Sequence, residues 1–356
     1  VKLTFVHEEL GASTRYRVHN HVTQARLAGL EAEAVPLAAL GRRPDLRGAD
    51  LLYLHRLRLT TQTLPLIAAA RLRRVPVVYD SDDLIWDPRL RAYERLDARL
   101  APAAVRHVLA EIRRARWLIA LADALVLSTP FLAGLARARF RRPAHVHLNA
   151  LSAEVVAASE AAAAARRAAA GVTLAHFSGS RHVHDDDLAA VGEALRAALA
   201  ARPDARLLLV GEVAVPAPLA GAEWAPRVER RPPVGWPALP ALIAAADLNL
   251  APLVDNPQRR AKSAVKYLEA AAVGVPTLAA RLEPYSYAII DGVTGALAET
   301  PAEWAAELAR LAGDRELRRE LGAAARRHVL AEHTATARAP EFRRLVTQIA
   351  AAHHGR

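Results

Sequence analysis

The residues best suited to chemistry lie in one short run, Arg260-Ala261-Lys262-Ser263-Ala264-Val265-Lys266-Tyr267-Leu268-Glu269. Lysine is scarce here: of 48 basic residues only Lys2, Lys262 and Lys266 are Lys, and two of the three stand four residues apart. The pattern from Ser263 to Val273 predicts a helix with Ser263 as its N-cap, whose first backbone N–H groups are unpaired and suited to phosphate oxygens. Lys262 just before that helix and Lys266 one turn in can supply point charges to a diphosphate. Glu269, three residues beyond Lys266, can accept both hydrogen bonds of a ribose diol, and Gly274-Val275-Pro276 turns the chain into the next strand. The plainer alternative is a surface helix with a Lys266–Glu269 ion pair worth only tenths of a kcal/mol. The scarcity of Lys and the strand–loop–helix context favour the anion site.

Three further clusters carry polar chemistry. In Gly11-Ala12-Ser13-Thr14-Arg15-Tyr16-Arg17, a small-residue loop leads into a helix, and Arg15 and Arg17 are available to a diphosphate or an anionic acceptor; the alternative is that Ser13 or Thr14 caps the helix and the arginines are solvated. Asp80-Ser81-Asp82-Asp83 follows an apolar strand. It has the DxD form of a divalent-metal site, but Asp82 or Asp83 can equally orient or deprotonate an acceptor hydroxyl, or cap the next segment. His184 with Asp185, Asp186 and Asp187 also looks metal-like; capping by Asp185 or Asp186, with acidic residues suiting the helix dipole, is the simpler reading.

The elements that must hold these residues alternate along the chain as short apolar runs and longer helical segments, which predicts stacked βα units with parallel sheets. Strands are expected near 3–7, 51–54, 75–79, 124–128 and 145–148, then near 172–177, 206–210, 247–251 and 276–279. Helices are expected at 14–27, 62–73, 89–121, 153–170, 186–201, 239–246, 263–273, 301–311, 315–328 and 338–352. In doubly wound sheets the polar ends of such strands line the ligand crevice. The expected organisation is a first Rossmann-like domain over 1–150, an Ala-rich linker helix over 151–171, a second such domain over 172–335, and a closing helix over 336–356. At 356 residues two full cores are available.

No apolar run reaches the roughly 18 to 20 residues that span a bilayer, and the first residues read as a strand rather than a signal peptide, so a soluble cytoplasmic protein is expected. Zero Cys excludes disulfides, zinc-thiolate sites and thiol nucleophiles. The net charge of +11 is one-sided: residues 1–150 carry 24 Lys plus Arg against 14 Asp plus Glu, and the remainder is nearly balanced. A basic first half suggests a surface facing phosphates, or else an Arg-rich solvated surface.

From Asp247 to Gly295 the chain strings together Ala251-Pro252-Leu253-Val254-Asp255-Asn256-Pro257, the KSxxKxxE element, Gly274-Val275-Pro276 and Asp291-Gly292-Val293-Thr294-Gly295. This stretch resembles the donor-binding half of GT-B glycosyltransferases and is most similar to glycosyltransferase family 4, in the branch with a KSxxKxxE element. The likeness extends to Phe177-Ser178-Gly179-Ser180, Leu209-Val210-Gly211, Asn149, the 11–17 loop and Tyr79-Asp80-Ser81-Asp82-Asp83.

The resemblance implies an α/β protein of GT-B architecture, two Rossmann-like domains facing across a cleft. It implies retaining transfer of a sugar from a nucleoside diphosphate sugar to a glycan, lipid-linked or small-molecule acceptor, with no cofactor and no metal. The donor site would comprise Gly179, Ser180, Arg181, Gly211, Glu212, Val234, Lys262, Ser263, Lys266 and Glu269. Gly11, Ala12, Ser13, Arg15 and Arg17 would form a cleft loop, and Asp82 and Asp83 would serve the acceptor side instead of a metal.

Two departures stand out. The first Glu of the family's E-x7-E element falls at Ala261, leaving Asp255 as the nearest acidic substitute. His184 and Asp185 stand where a Lys is usual, so Lys262 and Lys266 would replace that charge. The implied location is cytoplasmic, at the inner membrane face if the basic first domain makes peripheral contact, with no nucleic acid partner. The rival readings are a nucleotide-sugar epimerase of the same fold, a catalytically dead scaffold, and a basic nucleic-acid-binding protein, the last weakened by the 5% aromatic content.

Overall fold

A computed structural model describes residues 1–8, 11–41, 44–46, 48–166, 171–179 and 182–354. By its contacts the chain forms two compact units: Val1–Ser152 with Asn256–Ser263 and Ala335–Arg356 make the first, and Ala153–Asp255 with Ala264–Thr334 the second.

The first unit holds a six-stranded, all-parallel sheet of β1 (Lys2–His7), β2 (Glu31–Pro36), β3 (Leu51–His55), β4 (Val77–Ser81), β5 (Ala124–Leu127) and β6 (Ala144–Val146), in the order β2-β1-β3-β4-β5-β6. Both faces are covered, which is why the central strands read as unbroken apolar runs. Alternation along β3 sends Leu52 and Leu54 to one core layer and Leu51 and Tyr53 to the other. The closing helix Ala335–His354 belongs to this unit, because Phe342, Leu345, Val346 and Ile349 pack on Leu3, Phe5 and Tyr53. Residues 256–263, expected in the second domain, also belong here, with Ala261 fully buried in the first unit's core.

The second unit repeats the plan with β7 (Val172–Phe177), β8 (Ala205–Val210), β9 (Val228–Arg231), β10 (Leu248–Ala251), β11 (Thr277–Ala280) and β12 (Ala296–Ala298), all parallel, in the order β12-β11-β10-β7-β8-β9. The chain runs outward from β7 to β9 and then resumes on its other side at β10. This is the dinucleotide-fold strand order, and its switch point lies between β7 and β10. Both units are therefore Rossmann-like.

Several expected elements shift. The 89–121 segment is three helices, Leu90–Tyr93, Leu96–Arg99 and Pro102–Leu121, broken where Arg95 takes a left-handed φ of 50° and where Pro102 opens the third. The 14–27 helix begins at Ala12 and widens to π geometry over Arg15–His19. The 186–201 helix divides into Asp185–Ala189 and Gly192–Ala201. The 153–170 helix is Ala153–Ala165, with 167–170 outside the described residues. Strands β2, β9 and β12 were not anticipated. Each sits at a sheet edge, and β2 and β9 are half-exposed or more, so they lack a continuous apolar run.

Candidate functional site

In the second unit the polar residues gather at the switch point. His176, the penultimate residue of β7, is fully buried, and its Nδ1 lies 3.0 Å from the Leu250 carbonyl of β10. A carbonyl only accepts, so the proton sits on Nδ1 and Nε2 faces the Lys266 ammonium at 3.5 Å. Burial, with Lys266 and His184 nearby, holds the imidazole pKa of His176 well below its usual range. The ring is thus neutral near pH 7 and brings Lys266 no counter-charge. His184 stands edge-on to His176 at 6.1 Å, and its Nδ1 bonds the buried Asp187 carboxylate at 2.7 Å. The other Asp187 oxygen accepts the Val254 N–H at 2.9 Å, tying the loop after β10 to the Asp185–Ala189 helix that follows β7. Asn249 of β10 donates to the Lys266 carbonyl (3.2 Å) and to Thr277 (3.0 Å), which anchors the first turn of the Val265–Val273 helix.

That helix starts two residues later than expected. Ala264 is its N-cap with no side-chain bond, and Ser263 lies in the first unit, where its hydroxyl accepts from Asn149 at 3.0 Å. Lys262 also falls in the first unit, where its ammonium lies 2.9 Å from the Asp83 carboxylate. Glu269 is half-buried on the same helix as Lys266. Gly211 is more than a turn residue: its φ is +107°, and a Cβ there would lie 2.1 Å from the Ser178 carbonyl oxygen, so only glycine lets β8 turn beside the end of β7. Gly179 and Glu212 are exposed, the Glu212 carbonyl accepts the His182 N–H at 2.8 Å, and Val234 is exposed between β9 and the next helix. Ser180 and Arg181 lie outside the described residues. Asp255 is exposed, the last residue before the chain enters the first unit. Asp185 and Asp186 do not cap by side chain; Asp185 instead accepts the Ala214 N–H (2.9 Å) and pairs with His182 (2.8 Å).

In the first unit a continuous hydrogen-bond chain runs along the carboxyl ends of β1, β3 and β4. Arg17 is fully buried and grips Asp80 through two bonds (2.7 and 3.1 Å) while also donating to the His147 carbonyl (2.6 Å) and to Asn149 (3.1 Å). It is therefore a structural residue, neither the anion ligand expected of it nor the solvated arginine of the alternative reading. Arg15 is half-buried beside the Tyr16 ring, and Gly11 and Ala12 are exposed at the start of the helix. Asp80 meets His55 Nδ1 at 3.0 Å, His55 Nε2 meets Ser13 Oγ at 3.0 Å, and Ser13 donates to Asp82 at 2.6 Å.

Burial pushes the Asp82 carboxyl up, but Arg56, His55 and the Ser13 bond outweigh it and hold it at about 2. A carboxylate that acidic is a weak base, so Asp82 is suited to orienting a hydroxyl rather than deprotonating it. Asp83 is likewise held below the carboxylate range: burial opposes, and Lys262 at 2.9 Å and Arg56 at 3.2 Å prevail. Asp83 also accepts from Gln258 (2.7 Å) and from the Leu84 N–H (3.0 Å). Residues 256–263 thus attach to the first unit through Asp83 and, by Arg259, through Glu94 (2.5 Å).

His55, Arg56 and His176 were not among the site residues expected from the sequence. The available signal was a His at or next to the end of a largely apolar, doubly covered strand. Among the described residues one group could hold a metal, His328, Glu332 and His333, and it includes none of the expected site residues. No described helix is long and apolar enough to cross a membrane.

Residues 181–344 match the family model described as glycosyl transferase-like. The D-inositol 3-phosphate glycosyltransferase of Salinispora arenicola is 40% identical over 99 residues, and that of Segniliparus rotundus 34% over 146. These alignments span 27% and 40% of this chain but only 21% and 32% of those relatives' own length. The Anabaena protein HepE in complex with UDP and glucose superposes with a TM-score of 0.62 at 15% identity, covering 98% of this chain and 99% of that one. Sucrose-phosphate synthase from Thermosynechococcus elongatus gives 0.63 at 16% identity, with 99% of each chain covered. A glycosyltransferase from Rickettsia africae gives 0.66 at 10% identity over 98% of each. The fold is that of the GT-B class. Within that fold, the likeness to the glycosyl transferase-like model lies in residues 181–344 of the second half.

Proposed function

We propose that this protein is a glycosyltransferase that takes a sugar from a nucleoside diphosphate sugar and transfers it, with retention and without a metal, to a glycan, lipid-linked or small-molecule acceptor in the cytoplasm. The observation that carries the reading is the Lys266–His176–His184–Asp187 cluster at the switch point of the second unit, of which Lys266, His184 and Asp187 fall within the stretch that matches the family model. As the sugar leaves, charge builds on the nucleoside diphosphate. Lys266 and the first N–H groups of its helix are aimed at that kind of charge, and a neutral imidazole beside the ammonium leaves its field undiminished. Glu269 would take the ribose hydroxyls and Asp255 would stand near the donor sugar. In the first unit Asp82, fixed by Ser13 and Arg56, would orient the acceptor hydroxyl. Metal independence is supported by the cation partners already held by Asp82 and Asp83.

The test is a thermal-shift panel of UDP, GDP, dTDP and ADP, with UDP first because the HepE complexes contain it. A nucleotide at 100 times its dissociation constant should stabilise the fold by about 2.7 kcal/mol. No shift with any of the four would overturn the donor site. Incubating the sugar donor alone separates transfer from epimerisation, since only an epimerase yields a new sugar without acceptor.

A further inference from the structure

The Pro102–Leu121 helix buries Val105, Ile112, Ala115, Leu118 and Ile119 and turns Arg106, Arg113, Trp117 and Leu121 outward. Those four fall on one stripe, at spacings of seven, four and four residues. Trp117 is 62% exposed, the most exposed aromatic side chain among the large hydrophobics that face solvent. Beside it lies a surface pocket of about 420 Å³ lined by Arg113, Arg116, Trp117, Ala120, Arg139 and Phe140, three cations and no carboxylate. An adjoining pocket of about 280 Å³ shares Arg116 and Arg139, and its one acid, Asp87, is already held by Arg89 through both oxygens. The Arg139 guanidinium stacks 5.8 Å from the Phe140 ring. Of the acids on the helix itself, Glu111 is taken by Arg58 (2.7 Å) and Arg114 (2.6 Å). The stripe thus presents guanidinium groups, a large exposed indole and a mixed apolar and cationic pocket along about 22 Å of helix.

We propose that this face of the first unit docks on an anionic lipid bilayer, with Arg113, Arg116 and Arg139 meeting lipid phosphates and Trp117 and Leu121 entering the interface. Charge complementarity carries the choice of occupant: the patch is cationic throughout and sits on the half of the chain that carries nearly all the excess positive charge. The amphipathic indole at its centre is the side chain suited to the headgroup level. The patch is also too poor in aromatics to offer successive bases a stacking surface. The proposal does not rest on sugar transfer, and its test uses no nucleotide sugar.

The experiment is co-sedimentation of the full chain with phosphatidylcholine vesicles, with and without phosphatidylglycerol, at low and high salt. Binding is expected only with phosphatidylglycerol present, weakening as salt rises. The combined variant R113Q/R116Q/R139Q should bind about 100-fold more weakly, at about fivefold per arginine near an anionic surface. A control with the same charge removed from exposed pairs of the second unit, R196Q/R202Q/R319Q, should bind within about twofold of the parent. Trp117→Phe should abolish the lipid-induced blue shift of tryptophan emission. Unchanged melting temperatures establish that each variant folds. Failure to bind anionic vesicles, equal losses in the two triple variants, or tighter salt-sensitive binding to duplex DNA that the first triple variant abolishes would each overturn the proposal.

Discussion

Replacing Lys266 with Ala removes one ammonium and leaves its surroundings standing. The turn that carries it is anchored through its backbone carbonyl to Asn249, a bond that Ala keeps. His176, left behind 3.5 Å away, is a neutral imidazole and carries no charge to be orphaned. The cost should therefore fall on the anion that Lys266 serves rather than on folding. A unit charge acting over about 4 Å at an effective dielectric constant near 20 is worth about 4 kcal/mol before competition with water. Removal of one preorganised contact to transition-state charge typically costs 10² to 10³ in turnover, about 2.7 to 4 kcal/mol. Initial transfer rates, measured with the sugar donor of whichever nucleotide stabilises the protein best, should fall by at least 10² in Lys266→Ala with melting temperature within a few degrees of the parent. Lys262→Ala provides the contrast. Lys262 pairs with Asp83 in the first unit, and breaking that largely buried pair, with Arg56 still on Asp83, should cost about 1 to 3 kcal/mol of stability while sparing the nucleotide-induced shift. Near-parental turnover in Lys266→Ala, or an equal loss of nucleotide binding in both variants, would refute the reasoning.

Asp80→Asn leaves the guanidinium of Arg17 fully buried without its counter-charge, and should destabilise the first unit by about 3 to 5 kcal/mol, read as a shift in its urea midpoint. A shift below about 1 kcal/mol would mean that Asn149 and the His147 carbonyl suffice to hold Arg17. Ala261→Glu restores the acidic residue of the family pattern, but it would push a carboxylate into the apolar core at Ala261. The expected result is loss of folded protein with no gain in activity, and a well-folded, more active variant would contradict it. Acid sensitivity should follow the buried histidines. Burial, with Arg17 and Arg338 nearby, lowers His147 to about 4, and His21 and His176 are also pushed well down, chiefly by burial. Between the ordinary value of 6.5 and the folded one, the unfolded chain binds the proton and the native chain does not. Stability is then complete above about pH 6.5 and is lost as pH falls toward 4, by on the order of 3 kcal/mol for His147 alone. Melting temperatures from pH 7.5 to 4.5 should decline across that window and flatten in His147→Gln.

The central strands and the class of fold were legible because a doubly covered parallel strand must be apolar throughout, as in Leu51–His55 and Val172–Phe177. The edges were not: Val228–Arg231 pairs on one side only, and its polar side chains leave nothing to distinguish it from a loop. Lys266 was legible from scarcity and helical spacing, and Asp82 from its place after a strand. By itself the sequence determined two βα series, a strong anion-binding candidate on one helix and a one-sided charge, since these depend on local periodicity and composition. Only the tertiary structure decided which unit each residue serves. Lys262 and Ser263 adjoin Lys266 in sequence, yet they bond Asp83 and Asn149, more than 100 residues away. Arg17 looked like a loop cation and is the buried partner of Asp80. His55 and His176 became site residues through contacts with elements 25 to 90 residues distant. Such pairings arise from burial and from the order of the strands, and no local pattern encodes them.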